Sequence, residues 1–134
     1  MSARPAPATT RDTAFFWEAL KERRLLIQRC AACGALRHPP RPMCPRCHSL
    51  DWDTVEASGH GTVTSFVVPH HPELPWFPEP YVVALVELAE GTRLVTNIVG
   101  VSPDAVTMGM RVRVSFEEFD DGLVLPLFAP EDGP

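Results

Sequence analysis

The second half of the chain alternates between apolar and polar residues with a period of two, which is the pattern of strands buried on one face. Turn signals separate these stretches: Ala89-Glu90-Gly91 is typical of a hairpin, and Ser102-Pro103 is typical of the start of a helical turn. Five short strands, with a turn of helix between the third and the fourth, predict a small closed barrel of the OB type. The predicted strands are residues 61–68, 81–88, 92–99, 111–116 and 123–128.

The first half of the chain has a less regular pattern. Residues 1–11 are rich in Ala, Pro and Thr, which predicts a flexible tail or a linker. A short helix is predicted from Asp12, with Asp12 as its N-cap. Its apolar face is wider than a normal stripe, because Phe15, Phe16 and Trp17 are consecutive. Such a helix either packs on its own domain or docks into a partner, and the sequence leaves both open.

Prolines mark two irregular segments, which are expected to be stiff. Residues 39–42 form a rigid bridge in the first half of the chain, and residues 69–80 form a proline-dense loop after the first barrel strand. The loop carries Trp76 and Phe77 between prolines, which hold them extended with little entropy left to lose on binding. Three further strands are predicted before the barrel, at residues 25–28, 35–38 and 51–56.

Four cysteines, the only ones in the chain, form two Cys-x2-Cys pairs. Each such turn lets two thiolates converge on one ion, and two turns complete a tetrahedral shell of sulfur. Gly34 follows the first pair, where the lack of a Cβ atom lets backbone N–H groups approach the sulfurs. Two disulfides in a secreted protein are the alternative, but the spacing and the lack of a signal peptide argue against them. The sequence predicts one structural zinc ion, held by Cys30, Cys33, Cys44 and Cys47.

The composition of the 134 residues, 45% hydrophobic and 22% charged, is typical of a globular protein. No stretch suits a membrane span, and reduced metal-binding cysteines predict a cytoplasmic location. The predicted fold is mainly β: an N-terminal helix, a rubredoxin-like four-cysteine zinc ribbon and a five-stranded OB-fold barrel. The predicted segments are a tail or linker at 1–11, the helix and its lead-in strand at 12–28, the ribbon at 29–57, the barrel at 58–129 and a tail at 130–134.

Charge is distributed unevenly between the two parts of the chain. Residues 1–50 hold nine Arg or Lys against three Asp or Glu, a balance of +6. Residues 51–134 hold three Arg against fourteen acids, a balance of −11. This asymmetry predicts an oriented contact between the ribbon end and an anion, or two parts that face each other. The acidic barrel would repel phosphate, which argues against a nucleic-acid-binding module.

No catalytic centre is predicted. The chain has no G-x-S-x-G elbow, no phosphate loop and no fifth cysteine to serve as a nucleophile. Of the five histidines, two flank the cysteine pairs and none has an orienting carboxylate nearby in sequence. They are His38, His48, His60, His70 and His71.

Several motifs together resemble one known family. They are the aromatic helix, the four-cysteine ribbon with its Pro-Pro-x-Pro-x-Cys-Pro-x-Cys segment at 39–47, and a barrel containing Gly-Met-Arg-Val-x-Val at 109–114 and Leu-Pro-Leu-Phe at 125–128. The chain is similar in these respects to the acyl-CoA-associated proteins that join a rubredoxin-like zinc ribbon to an OB-fold, long catalogued as a domain of unknown function. The resemblance extends from Asp12 to Phe128.

The resemblance implies an accessory role rather than independent catalysis. Members of the family accompany thiolases, thiolase-like lipid-transfer aldolases, hydroxymethylglutaryl-CoA synthases and MaoC-type hydratases. In actinobacterial sterol catabolism, a domain of this kind is fused to a hydratase domain and binds the aldolase that removes the side chain. The Ala/Pro-rich start of this chain resembles such a linker, as expected for an excised C-terminal domain.

The expected function is therefore a partner subunit or domain of a thiolase-like aldolase or thiolase, with acyl-CoA met through the complex and with no nucleic acid or membrane as a partner. The predicted partner contacts are Phe15, Phe16, Trp17, Trp76 and Phe77. The residues expected to meet the CoA phosphates or an acidic patch of the partner are Arg29, Arg37 and Arg41.

Two other functions fit parts of the sequence. Zinc ribbons and OB barrels are both frequent in nucleic-acid-binding proteins. The two Cys-x2-Cys pairs also suit the iron of a rubredoxin-like electron-transfer protein, and the cysteine spacing alone does not distinguish zinc from iron.

Overall fold

The computed structural model describes residues 4–71, 73–77 and 79–131 of the chain; the ends of both predicted tails, at 1–3 and 132–134, lie outside the described residues. One helix is followed by a small sheet and then by a barrel. The helix α1 is Ala14–Lys21, and the strands of the small sheet are β1 (Leu26–Cys30), β2 (Leu36–Arg37) and β3 (Trp52–Glu56). The barrel strands are β4 (His60–Val67), β5 (Val82–Leu88), β6 (Arg93–Ile98), β7 (Arg111–Glu118) and β8 (Val124–Pro130).

The small sheet has the antiparallel order β2-β1-β3. Residue pairs directly opposite each other share a face of a sheet, and successive residues alternate between faces. Gln28 lies opposite Arg37, so these two share one face. Arg29 lies opposite Asp53, so these two share the other face. The register therefore separates arginines that are close in sequence.

The predicted five-stranded barrel is confirmed, with the closed order β4-β5-β6-β8-β7. Burial along β5 alternates strictly, as its sequence pattern predicts. Strands β6 and β8 close the barrel as a parallel pair, at Ile98 and Phe128. The predicted helical turn is also present as a 3-10 turn at Pro103–Ala105, and the Ser102 side chain accepts a hydrogen bond from the Asp104 N–H.

The start of α1 differs from the prediction. Thr13, not Asp12, occupies the N-cap position, and its side chain makes no capping hydrogen bond. Its hydroxyl instead lies 3.1 Å from the Thr10 hydroxyl, while the Ala14 N–H donates to the Thr10 carbonyl. A turn that precedes the helix thus takes the place of the Asp12 cap, because it satisfies the free N–H groups with backbone oxygens.

One apolar core joins the small sheet to the barrel through α1. The helix packs against both β1 and β8. Its Phe16 and Leu20 lie in the same buried cluster as Ile27 of β1 and Val63 and Phe128 of the barrel. Among the described residues, no helix is long and apolar enough to cross a membrane.

Candidate functional site

Both cysteine pairs lie in the same kind of turn. The Gly34 N–H donates to the Cys30 carbonyl and the His48 N–H donates to the Cys44 carbonyl, each at 2.9 Å. Gly34 and His48 both have positive φ, at 79° and 65°. Glycine adopts this left-handed conformation without strain, whereas histidine does so at a cost of about 1–2 kcal/mol. The requirement for glycine at position 34 is conformational, since a Cβ atom there would meet nothing within 4 Å.

The two turns bring all four sulfurs to one point. Their Sγ atoms lie within 4.8 Å of one another, with 3.5 Å between Cys30 and Cys47 and 3.7 Å between Cys33 and Cys44. A tetrahedral ion with zinc–sulfur bonds of about 2.3 Å has sulfur–sulfur edges of about 3.8 Å. None of the four is in a disulfide. The cluster therefore fits a zinc ion and excludes the disulfide alternative.

Backbone N–H groups near these sulfurs favour the thiolate form that binds a metal. The Cys33 N–H donates to the Cys30 Sγ at 3.4 Å and lowers the pKa of Cys30 to about 6. The Cys47 N–H likewise lowers the pKa of Cys44. At Cys47 the Ser49 N–H lowers the pKa, but the neighbouring sulfurs and burial outweigh it and raise the pKa to about 12. Four adjacent thiols cannot all ionise unaided, whereas a divalent ion replaces their protons.

The proline bridge is attached to the ribbon through buried polar side chains. The Arg41 N–H donates to Gln28 Oε1 at 2.8 Å. The Arg41 carbonyl accepts from Nε and Nη2 of Arg37, at 3.2 and 2.9 Å. Gln28 and Arg37 are 2% and 7% exposed, so both backbone groups of Arg41 are held from inside the sheet. The structure thus brings together Arg37 and Arg41 of the predicted anion contacts.

Arg29 does not join them. Its Nε and Nη2 atoms donate to the two carboxylate oxygens of Asp53, at 2.7 and 2.8 Å. This bidentate pair lowers the pKa of the Asp53 carboxyl. Because Arg29 is on the opposite face of the sheet from Arg37 and already has a counter-charge, it is not part of a common anion site with Arg37 and Arg41.

The three consecutive aromatic residues of α1 have different surroundings. Phe16 is only 5% exposed and lies in the core, so the structure removes it from the predicted partner contacts. The reason is helical geometry, because successive residues differ by about 100° around the axis. Phe15 turns the other way and packs on Trp52 of β3, with 4.8 Å between ring centroids. Trp17 is partly buried, edge-on to Phe16.

The proline loop is held against the barrel by an arginine that the sequence did not single out. Phe77 stacks on Tyr81 with 3.7 Å between ring centroids. The Arg4 guanidinium lies 4.4 Å from the Phe77 centroid and 4.6 Å from that of Phe119, and donates to Asn97 Oδ1 at 2.7 Å. An isolated arginine in an Ala/Pro-rich segment carries no periodic signal, so this contact could not be predicted.

A cavity of about 280 Å³ lies where α1, the proline bridge and strands β6 and β8 meet. Its lining is mostly apolar and includes Trp17 and the exposed Val95. His38 also lines it, and burial lowers the pKa of His38, which favours the neutral imidazole. The partly buried Trp17 side chain therefore lies beside an open and mostly apolar cavity.

The histidines form no catalytic arrangement among the described residues. The one histidine within ion-pair distance of a described carboxylate is His60, whose Nδ1 lies 3.0 Å from Glu131 Oε1. His48 belongs to the turn at the second cysteine pair.

Two family models together match residues 17–117. Residues 17–53 match the model described as "ChsH2, rubredoxin-like zinc ribbon domain". Residues 54–117 match the model described as "ChsH2, C-terminal OB-fold domain". The two matches adjoin within β3, and together they cover well over half of the chain.

Curated relatives and a solved structure are similar over nearly the whole chain. The "Probable enoyl-CoA hydratase alpha subunit" of Thermomonospora curvata is 62% identical over 127 residues, which are 95% of this chain and 40% of that protein. The "3-oxo-4,17-pregnadiene-20-carboxyl-CoA hydratase alpha subunit" of Mycobacterium tuberculosis is 47% identical over 115 residues, 86% of this chain and 37% of that protein. The chain thus spans well under half the length of these relatives. A chain of the solved "Ltp2-ChsH2(DUF35) aldolase" is 62% identical with a TM-score of 0.89, over 92% of this chain and 98% of that chain.

Proposed function

Because the chain belongs to the ChsH2 family, whose domains join a rubredoxin-like zinc ribbon to an OB-fold, we propose that it is a non-catalytic accessory domain or subunit that docks on a thiolase-like acyl-CoA enzyme and supports it. The observation that carries this proposal is the match to a chain of the Ltp2-ChsH2(DUF35) aldolase, which is aligned over 98% of its length. The partner would be an aldolase or a thiolase, and acyl-CoA would be met through the complex.

One zinc ion per chain would hold the ribbon together. The support is the single cluster of four sulfurs among the described residues, whose spacing suits one tetrahedral ion. The ion would be structural, because four cysteines leave no open coordination position for a substrate. Zinc rather than iron is favoured by the family, whose ribbon is described as a zinc ribbon.

The docking contacts would come from two aromatic surfaces. The first, the helix surface, covers two sides of α1: Phe15 packs on Trp52, which keeps 37% of its area exposed, and Trp17 lines the apolar cavity. The second, the loop surface, consists of Trp76 and Phe77. Phe77 is already fixed by Tyr81, so its ordering costs little on binding. Aromatic residues that are rigid and partly exposed before binding are typical centres of protein interfaces.

The names and lengths of the relatives support a companion domain and a pathway class. Two of them are named as hydratase alpha subunits and are more than twice as long as this chain, which supports a MaoC-type hydratase domain as a companion in the same polypeptide. The pregnadiene carboxyl-CoA in one name supports steroid or lipid side-chain degradation as the pathway class. A cytoplasmic location would follow from reduced cysteines that bind a metal.

Co-expression with a thiolase-like aldolase tests the docking proposal. The parent chain should co-elute with the enzyme, and Trp17→Ala and Trp76→Ala should each weaken the complex by about 2 kcal/mol or more, the usual loss at an interface anchor. The isolated chain should turn over no acyl-CoA, and the enzyme should be less soluble or less active without it. Affinity of the purified pairs is measured by titration.

Met108→Ala is the matched control, since Met108 is a large apolar side chain that is 72% exposed and belongs to neither surface. If Trp17→Ala and Trp76→Ala bind as tightly as this control, the docking surface is elsewhere. Turnover of acyl-CoA by the isolated chain would refute the accessory role.

A further inference from the structure

Arg37 carries a buried charge with no counter-charge in its immediate surroundings. The residue is 7% exposed, and two of its nitrogens donate to a neutral carbonyl, that of Arg41. Its Nη1 atom has no hydrogen-bond partner among the described residues. The ion pairs found among those residues include neither Arg37 nor Arg41. Buried charges are normally paired, so an anion from outside would complete this site.

The cleft beside Arg37 is lined by basic residues and by no acid. It has a volume of about 380 Å³ and lies between the proline bridge of the ribbon and the turn that joins β5 to β6. Arg37, His38 and Arg41 line one side, and Thr92 and Arg93 line the other. The buried Thr92 hydroxyl also lacks a hydrogen-bond partner among the described residues. The acidic barrel half thus contributes an arginine to this cleft.

Arg93, the third arginine of the cleft, already has one acidic partner. Arg93 donates from Nε to Glu87 Oε1 at 3.0 Å, and this pair is exposed to solvent on both sides. The pairing uses one nitrogen and leaves the two terminal guanidinium nitrogens of Arg93 for another acceptor. Arg41 uses only its backbone in the contacts with Gln28 and Arg37, so its guanidinium is available.

We propose that this cleft between the ribbon and the barrel binds a phosphoryl group, with Arg41 and Arg93 as direct contacts and the buried Arg37 as the fixed positive charge behind them. The inference concerns the isolated chain and does not depend on the proposed docking function. A phosphoryl group is favoured because its oxygens point in several directions and can meet arginines on both sides of the cleft, and because guanidinium forks match phosphate geometry. A single carboxylate offers only two oxygens in one plane.

Titration of the zinc-loaded chain, followed by the backbone amide signals in NMR, tests this site. Inorganic phosphate and ADP should each shift the amides of Arg41, Gly91 and Thr92 saturably, whereas adenosine and acetate should not. Tighter binding of ADP than of phosphate, with adenine-dependent shifts nearby, would assign a nucleotide; equal affinities would assign a lone phosphoryl group. Arg41→Gln and Arg93→Gln should each weaken binding about tenfold or more, the loss expected for one charged hydrogen bond.

Arg113→Gln is the matched control, because Arg113 is an exposed arginine of β7 that does not line the cleft. Arg37→Gln is not used as a test variant, because it removes the contacts that hold the Arg41 carbonyl and would disturb the ribbon itself. Zinc content is measured in each sample, so that loss of metal is recognised. The proposal is overturned if no saturable shift occurs, if acetate binds as well as phosphate, or if Arg113→Gln weakens binding as much as Arg41→Gln does. Shifts confined to the cysteine turns would assign the effect to the metal cluster instead.

Discussion

The ribbon and the barrel of this chain are stabilised by different means. The barrel buries strand residues such as Val63, Val86, Val112 and Phe128 almost completely. The small sheet contributes Ile27 of β1 to the same core, but the other buried side chains of the ribbon include two cysteines of the metal cluster, Gln28 and Arg37, and β2 is only two residues long. A region with so little apolar burial rarely holds its fold unaided. Hydrophobic burial therefore supports mainly the barrel, whereas the metal and a few buried polar contacts support the ribbon.

Metal removal should produce the largest difference between the two regions. Zinc binding contributes folding free energy on the order of 10 kcal/mol or more in small modules. After zinc is removed, amide exchange protection should be lost in β1, β2 and β3 and should persist in the barrel strands. Hydrogen exchange with metal analysis checks this outcome. An unchanged melting temperature without metal would contradict the structural role of zinc.

A cavity created in the barrel core should have the next largest effect on stability. It should destabilise the barrel and leave the metal site intact. Phe128 is fully buried where β6 and β8 meet, and Phe→Ala in a core costs about 3–5 kcal/mol. Phe128→Ala should lower the free energy of unfolding by this amount and leave zinc stoichiometry unchanged in the folded protein. Val67→Ala, in an exposed strand position, is the control and should stay within about 0.5 kcal/mol of the parent.

The polar contacts of the ribbon predict a smaller effect. Gln28→Met keeps the length of the side chain and removes the acceptor for the Arg41 N–H. Leaving a buried donor unpaired costs about 1–3 kcal/mol. We expect this loss in denaturant unfolding, together with weaker zinc retention against a chelator. If Gln28→Met is as stable as the parent, the proline bridge does not depend on this contact.

Most of the local structure of the ribbon and of the barrel could be predicted from sequence patterns. Each Cys-x2-Cys turn is closed by its own backbone hydrogen bond, and the strict alternation along β5 follows its sequence pattern. The cap of the 3-10 turn at Ser102 is equally local. Such features depend on residues that are neighbours in sequence, so the sequence carries them.

Features that depend on tertiary neighbours could not be predicted. The three predicted anion contacts share a charge but not a site, because only the sheet register shows that Arg29 faces Asp53 while Arg37 faces the bridge. The burial of Phe16 depends on the barrel that α1 covers. The contact of Arg4 with Phe77 and Phe119 joins residues from three distant segments. The pairing partner of a side chain is therefore the information that the sequence pattern lacks.

The acidic charge of the barrel predicts that the chain does not bind nucleic acid. The balance of −11 over residues 51–134 opposes the approach of a phosphate backbone to the OB-fold. Fluorescence anisotropy with single-stranded DNA and RNA should show no binding in the micromolar range at physiological salt. Micromolar binding that weakens steeply with added salt would favour a nucleic-acid-binding module.

Co-elution of zinc-loaded and zinc-stripped chain with a thiolase-like aldolase, measured by size-exclusion chromatography, tests the proposed docking most directly. Part of the proposed docking surface lies on β3 of the ribbon and on α1, which packs against β1, so the zinc-loaded chain should co-elute with the enzyme while the stripped chain should not. Equal co-elution of both forms would show that docking needs no folded ribbon. If neither form co-elutes, the proposed accessory function is contradicted.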